Sequence, residues 1–168
     1  SEDRKQYGLL LIKSVAENSV LSSLDDYIHF GWIEDNKIKA AAAEANRKLR
    51  TKTPSMDQLL KNLSGGNQQK VIVARWLLRN SDIFIFDEPT RGIDVGAKSE
   101  MYELMEELAK QGKSVIMISS ELAEIQRLSD RVIVMCEGRI TGELDIKDAT
   151  QEEIMKYATM REEYHGND

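Results

Sequence analysis

The chain has a single cysteine, so an internal disulfide is excluded. That residue, Cys136, sits in the apolar run Val132-Ile133-Val134-Met135-Cys136 and reads as a small buried hydrophobe, not a reactive thiol. Histidine is nearly as scarce. His29 and His165 stand far apart with no cysteine or carboxylate at ligand spacing, which argues against a metal site built on them. No run of about 18 apolar residues is present, so no transmembrane span is expected. The charged start Ser1-Glu2-Asp3-Arg4-Lys5 leads into no apolar region or small-residue cleavage site, so a secretory signal is missing and the cytoplasm is the expected location. An excess of positive charge is lacking too: 23 Lys and Arg against 29 Asp and Glu leave a net charge of −6, which argues against nucleic acid as the main partner. No internal repeat or low-complexity segment is visible.

What is present suits one soluble α/β domain. Hydrophobic residues make up 41% and charged residues 31% of 168 positions, enough apolar surface for a single core. Ser14 and Glu17 form a capping box ahead of Val20, Leu21, Leu24 and Ile28, which recur near helical spacing. Residues 34–50 favour helix, with a cationic end suited to the dipole and a stop at Thr53-Pro54. Residues 67–79 predict a third helix, apolar on most sides and so buried on two faces. From Ile83 the pattern changes. Ile83-Phe84-Ile85-Phe86 and Ser114-Val115-Ile116-Met117-Ile118 read as strands buried on both faces, separated by a helix over 95–110 that Gly112 closes. A short helix over 121–128, a strand over 131–136, a turn at Gly138 into Ile140–Leu144, and a last helix capped by Thr150 and Glu153 complete the chain. The alternation predicts a parallel sheet whose opening strands would lie before Ser1.

Two segments carry chemistry. The apolar run ending in Asp87-Glu88 is a Walker B pattern. A rigid strand holds Asp87 at its carboxyl end, where it can bind Mg²⁺ through water while Glu88 polarises an attacking water. An acidic pair that merely ends a strand, or the Asp-Glu box of a helicase, would read the same way taken alone. Upstream, Leu63-Ser64-Gly65-Gly66-Asn67-Gln68-Gln69-Lys70 sets a hydroxyl and two glycines at a helix start, where free amides and the positive dipole end favour an anion. Ser-Gly-Gly is also ordinary linker material. Ser64, however, lies 23 residues ahead of Asp87 with a buried helix between them.

That order resembles the ABC signature motif followed by its Walker B strand, and Gly92-Ile93-Asp94 matches the D-loop. The run Thr90-Arg91-Gly92-Ile93-Asp94-Val95-Gly96-Ala97-Lys98 and Ile118-Ser119-Ser120-Glu121-Leu122 are similar to the second ATPase domain of bacterial ribose, galactose and xylose importers. The likeness runs from about Glu2 to Met160. It implies a truncated P-loop NTPase of the ABC class, α/β with a mostly parallel sheet, as one domain over 1–168. Residues 14–80 would form a helical subdomain carrying the signature, and residues 81–168 would carry Walker B, the D-loop and the switch. The resemblance further implies ATP and Mg²⁺ as cofactors, Glu88 as general base and Asp87 as the Mg²⁺ residue. Leu63, Ser64, Gly65, Gly66, Asn67 and Gln68 would form the signature that closes on nucleotide held by another ABC ATPase domain, with Asp94 at the same interface. A membrane permease would be the second partner and a sugar-binding protein an indirect one, with the subunit on the cytoplasmic face of the membrane.

Three departures qualify the likeness. The G-x-x-x-x-G-K-[ST] phosphate loop is not in the sequence. Gly112-Lys113-Ser114 imitates its end, but Glu107 stands where the first glycine belongs and the segment precedes a strand instead of following one. The adenine-stacking aromatic would also lie earlier, so the chain by itself is expected to bind ATP weakly or not at all. Ser120 occupies the position of the usual switch histidine and cannot supply a long cationic donor, which predicts slow hydrolysis at this domain's own site. Glu2 falls in the Q-loop region, where glutamine is common. Three other functions remain open: a non-catalytic half that only donates its signature, a soluble ABC protein of DNA repair or translation, and an α/β interaction module. With an uncovered edge, the chain is expected to pair with a copy of itself.

Overall fold

The structure is a computed structural model and describes residues 8–160. Glu2 lies outside the described residues. The chain falls into two compact units, divided between Ile118 and Ser119.

In the first unit Ser14 caps α1 (Val15–Val20). Its Oγ accepts from the Glu17 amide at 3.1 Å, and the Glu17 carboxylate accepts from the Ser14 amide at 2.8 Å, closing the expected box. Lys13, 2.9 Å away, and the Ser14 amide hold the Glu17 carboxyl at about 2, below its ordinary 4.5. The helix does not run on to Ile28. Serines and aspartates favour local bonds over a helix interior, and the chain tightens into a 3₁₀ segment, Leu21–Tyr27, kinked at Ser23 (φ −130°, ψ 23°). Ile28 opens a hairpin instead, β1 (Ile28–His29) antiparallel to β2 (Trp32–Ile33).

The next helix, α2 (Asp35–Lys48), ends ahead of the Thr53-Pro54 stop. Arg50 takes φ +52°, and the amides of Arg50 and Thr51 bond to the carbonyls of Arg47 and Asn46 at 3.0 and 2.9 Å. This is a Schellman closure with arginine where glycine is usual.

Ser64 caps α3 (Gly65–Leu78), which packs against α1 and α2. Burial along α3 departs from the apolar pattern: Gln68, Lys70 and Arg75 are buried while Trp76 is 46% exposed. The reason is that these polar side chains serve backbone groups of neighbouring segments. Arg75 Nε donates to the Asn18 carbonyl at 2.8 Å, Nη1 to the Gly8 carbonyl at 2.9 Å, and Nη2 to Asn18 Oδ1 at 3.3 Å. The Asn18 amide in turn brackets Leu10, accepting from its N–H and donating to its carbonyl, each at 2.9 Å. Burial pushes the guanidinium pKa down, but arginine keeps its proton. Around this network lie two apolar clusters, Leu9, Val15, Leu60, Leu63 and Val71, and Ala16, Val20, Ile38 and Ala42.

Strands β3 (Ile83–Asp87) and β4 (Ser114–Ile118) pair in parallel, from Ile83↔Ser114 to Asp87↔Ile118, joined by α4 (Val95–Lys110). The strand–helix–strand unit is as expected; burial of both faces is not. Phe84 and Phe86 are buried, whereas Ile83 and Ile85 are 61% and 66% exposed and Ile116 and Ile118 51% each. Among the described residues of this unit, nothing covers the isoleucine side.

The second unit holds α5 (Leu122–Leu128), β5 (Arg131–Cys136), β6 (Arg139–Asp145) and α6 (Gln151–Ala158). Read as a further strand of the parallel sheet, β5 instead pairs antiparallel with β6. Glu137 and Gly138 take φ of 50° and 78°, the turn that returns the chain in a tight hairpin. Val132, Val134, Ala149 and Ile154 form its core, and Cys136 is buried. Thr150 caps α6 by accepting from the Glu153 amide at 3.1 Å, but the Glu153 carboxylate pairs with Lys156 at 3.1 Å, away from the cap. Among the described residues no helix is long and apolar enough to cross a membrane.

Replacing Arg75 with Met keeps an apolar stem and strips the donors from buried oxygens. We expect a loss of about 2–4 kcal/mol, read as a lower urea midpoint with the slope retained. An unaltered midpoint would show that the network does not hold the unit together.

Candidate functional site

The signature segment is anchored from behind and open in front. Leu63 is buried against Val15, Leu60 and Val71, which fixes the turn on the apolar core. Gln68 is buried and donates to the Leu60 and Leu63 carbonyls at 3.2 and 3.1 Å, so its amide group holds the turn from inside. Asn67 also works inward: Nδ2 donates to Ser64 Oγ at 2.9 Å, and Oδ1 accepts from the Lys52 amide at 2.8 Å. Ser64 is exposed, with φ −61° and ψ 158°, and its Oγ also accepts the Asn67 amide at 3.5 Å. The amides of Gly65 and Gly66 open the helix, where no intrahelical acceptor can reach them. Ser64 is exposed, Gly65 half-buried and Gly66 buried, so Ser64 and the Gly65 amide are the groups most open to an anion.

Gly66 has a second duty. A Cβ there would stand 2.6 Å from Ala97 Cβ, in the first turn of α4. Only glycine lets the two helix starts approach this closely. The start of α4 is capped by Asp94, whose Oδ1 accepts from the Ala97 amide at 2.9 Å. The signature turn and the D-loop are therefore brought together at Gly66 and Ala97.

Asp87 ends β3 opposite Ile118 and is half-buried. Glu88 takes φ +45°, a left-handed conformation unusual for this residue type and commonly found at functional positions. It is pinned there by its amide on the Ile118 carbonyl at 2.9 Å and by the Arg91 amide on its own carbonyl at 3.2 Å. Pro89 and Thr90 behind it are buried. The strand end thus sets two adjacent, half-buried acidic residues on a fixed backbone. Among the described residues, no group of three or more His, Cys, Asp or Glu could hold a metal ion. A single carboxylate is still compatible with Mg²⁺, which keeps several of its waters and takes one or two protein ligands beside phosphate.

Ser120 belongs to the second unit and is exposed, just ahead of α5. Beside it, Ser119 Oγ accepts from the Glu121 amide at 3.0 Å and donates to Glu124 Oε2 at 2.9 Å. Sequence reasoning missed Ala97, Lys70 and Glu100, which join α3 to α4. A contact between helices some thirty residues apart leaves no periodic trace in one sequence.

Solved structures of ABC transporter proteins share this fold. A metal-chelate type ABC transporter in an inward-facing conformation matches with a TM-score of 0.75 at 17% identity, over 88% of this chain and 58% of that one. An ATP-binding cassette of an ABC transporter in its ADP conformation matches with a TM-score of 0.72 at 22% identity, over 88% of this chain and 63% of that one. At such identities the likeness concerns fold, and the fold is that of an ABC ATPase domain. The ABC transporter family model matches residues 4–91, and the chain belongs to that family.

Among sequence relatives, a ribose/galactose/methyl galactoside import ATP-binding protein of Halalkalibacterium halodurans is 56% identical over 159 residues, 95% of this chain and 30% of the relative. A protein of the same description from Burkholderia cenocepacia is 55% identical over 163 residues, 96% of this chain and 32% of the relative. The chain spans about a third of the length of these relatives.

Gly66→Ala is expected to force α3 and α4 apart at a cost of about 1–3 kcal/mol. Ala97→Gly in the same molecule removes the clashing methyl and should return most of that loss, less the ordinary helix penalty of about 0.5–1 kcal/mol for glycine. Thermal melts of the single and double variants check this. A double variant no more stable than Gly66→Ala would refute the close approach.

Proposed function

We propose that this chain is part of the ATP-binding subunit of an ABC importer for a monosaccharide, and that it works by clamping ATP between two ATPase domains. The observation that carries the reading is the 56% identity along 95% of the chain with a relative named for ribose/galactose/methyl galactoside import and ATP binding. The site geometry supports it: an open helix start and a pair of carboxylates at a strand end lie in one unit, as such a clamp requires.

In this reading Ser64, with the Gly65 and Gly66 amides, closes on the phosphates of ATP held by another ABC ATPase domain, head to tail. Leu63, Asn67 and Gln68 hold that turn in shape. Asp94 lies at the same domain interface. Asp87 would hold Mg²⁺ through its waters, and the ion would supply neutralisation of phosphate charge. Glu88 accepts a proton from the attacking water, its backbone fixed so that the carboxylate needs no search. Glu2, in the Q-loop region, reports nucleotide state. The helical part over 14–80 touches a membrane permease, which receives sugar from a binding protein outside, and the subunit sits peripherally on the cytoplasmic face. The chain alone, without a phosphate loop, does not hydrolyse ATP.

Ser120 favours a second reading, in which this domain donates its signature while its own site only binds, because serine offers no cationic donor to a γ-phosphate. Separate variants of the full-length subunit decide. Our main reading predicts that Glu88→Gln lowers ATP hydrolysis at least about 100-fold and prolongs the closed pair, with Ser64→Ala also strongly impaired. If Ser64→Ala abolishes hydrolysis while Glu88→Gln leaves rate and closed lifetime unaltered, the donor-only reading replaces it.

The open isoleucine face supports a further expectation, that the isolated chain associates with a copy of itself. Sedimentation equilibrium should show dimers or larger species that Ile85→Lys disperses, and a monodisperse unsubstituted monomer would end the idea.

A further inference from the structure

The Lys70 side chain is only 5% exposed, and its ammonium lies 2.7 Å from Glu100 Oε2 on α4 and 3.2 Å from the Arg50 carbonyl at the closure of α2. A lysine buried to this depth requires partners with good geometry, and Lys70 has two, on two different elements. Its bond is also the first cause holding the Glu100 carboxyl below the usual range.

Position gives the pair its meaning. Gly66 and Lys70 are four residues apart on one face of α3, and Ala97 and Glu100 are three apart on one face of α4. The steric contact Gly66–Ala97 sets how closely the helix starts approach, and the ionic contact one turn further on sets their rotation about each other. On the other side, Lys70 on the Arg50 carbonyl and Asn67 on the Lys52 amide tie the segment after α2 to the same turn of α3.

We propose that Lys70 and Glu100 are positioning residues that lock the starts of α3 and α4 into one rigid body, so that Ser64 and Asp94 are presented to the partner domain as a single surface. The functional half rests on the reading above; the mechanical half does not.

The two halves are tested on the full-length subunit. Lys70→Met should raise amide exchange in residues 64–70 and 94–100 together, by about tenfold, with α1 and the second unit unaffected. Lys70→Arg, which keeps a cationic donor for both Glu100 and the Arg50 carbonyl, should restore slow exchange in both segments. In hydrolysis assays Lys70→Met should lower kcat several-fold with a smaller change in KM for ATP, and Lys70→Arg should recover it. Faster exchange in only one of the two segments, or an even rise through the whole first unit, overturns the lock. Paired faster exchange with normal hydrolysis overturns its functional half. Ser64→Ala assayed alongside then locates the fault: if it is impaired, the lock is idle in catalysis, and if it is active, the signature reading itself is wrong.

Discussion

Arg75 reaches from the middle of α3 back to Asn18 and Gly8, residues 57 and 67 positions earlier in the chain, and the placement of the signature helix follows from that reach. The guanidinium meets neutral oxygens, two carbonyls and an amide, instead of a carboxylate. Its planar fork of donors satisfies several acceptors at fixed angles, which a lysine could not do. Asn18 is thereby held at both ends, between Arg75 and the backbone of Leu10. The segment ahead of α1, α1 itself and α3 become one framework before any apolar contact is counted. Leu63 then seats the signature turn on that framework, and Ser64 is left facing outward.

Local chemistry was readable wherever it is confined to a few adjacent residues. Ser14 with Glu17, Ser64, the Gly112 closure and the Gly138 turn stand where their residue types place them, because capping and left-handed turns depend on groups within four positions. Ile28 was not readable. Its spacing suited a helix, but the intervening serines and aspartates ended the helix and turned it into a hairpin. The end of α2 was placed two residues late because a proline six residues beyond Lys48 was the visible stop, whereas Arg50 had already taken a left-handed conformation. The strands show a different limit. An apolar run reports what a surface would tolerate, not what covers it, and the isoleucine side of β3 and β4 is exposed here despite its composition.

The site was legible as motifs and opaque as mechanics. Ser64, Asp87, Glu88 and Asp94 lie at helix starts and a strand end, as their pattern implied. Their supports were hidden. Gln68 and Asn67 were grouped with the ligand-facing residues, and in the structure Gln68 binds the Leu60 and Leu63 carbonyls while Asn67 joins the Ser64 hydroxyl to the Lys52 amide. Gly66 was assigned to phosphate approach, and its crowding against Ala97 adds a packing reason that no reading of one segment could supply. Buried polar residues on a mostly apolar helix are hard to foresee from sequence because their partners come from elsewhere in the chain.

The cap at Ser64 has a chemical corollary. Both lone pairs of its hydroxyl oxygen are engaged by Asn67, one by the side-chain amide at 2.9 Å and one by the backbone amide at 3.5 Å. What is left over is a single proton, so the serine can only give a hydrogen bond to whatever arrives. A newcomer rich in oxygen acceptors fits that polarity; a cation or an amine does not.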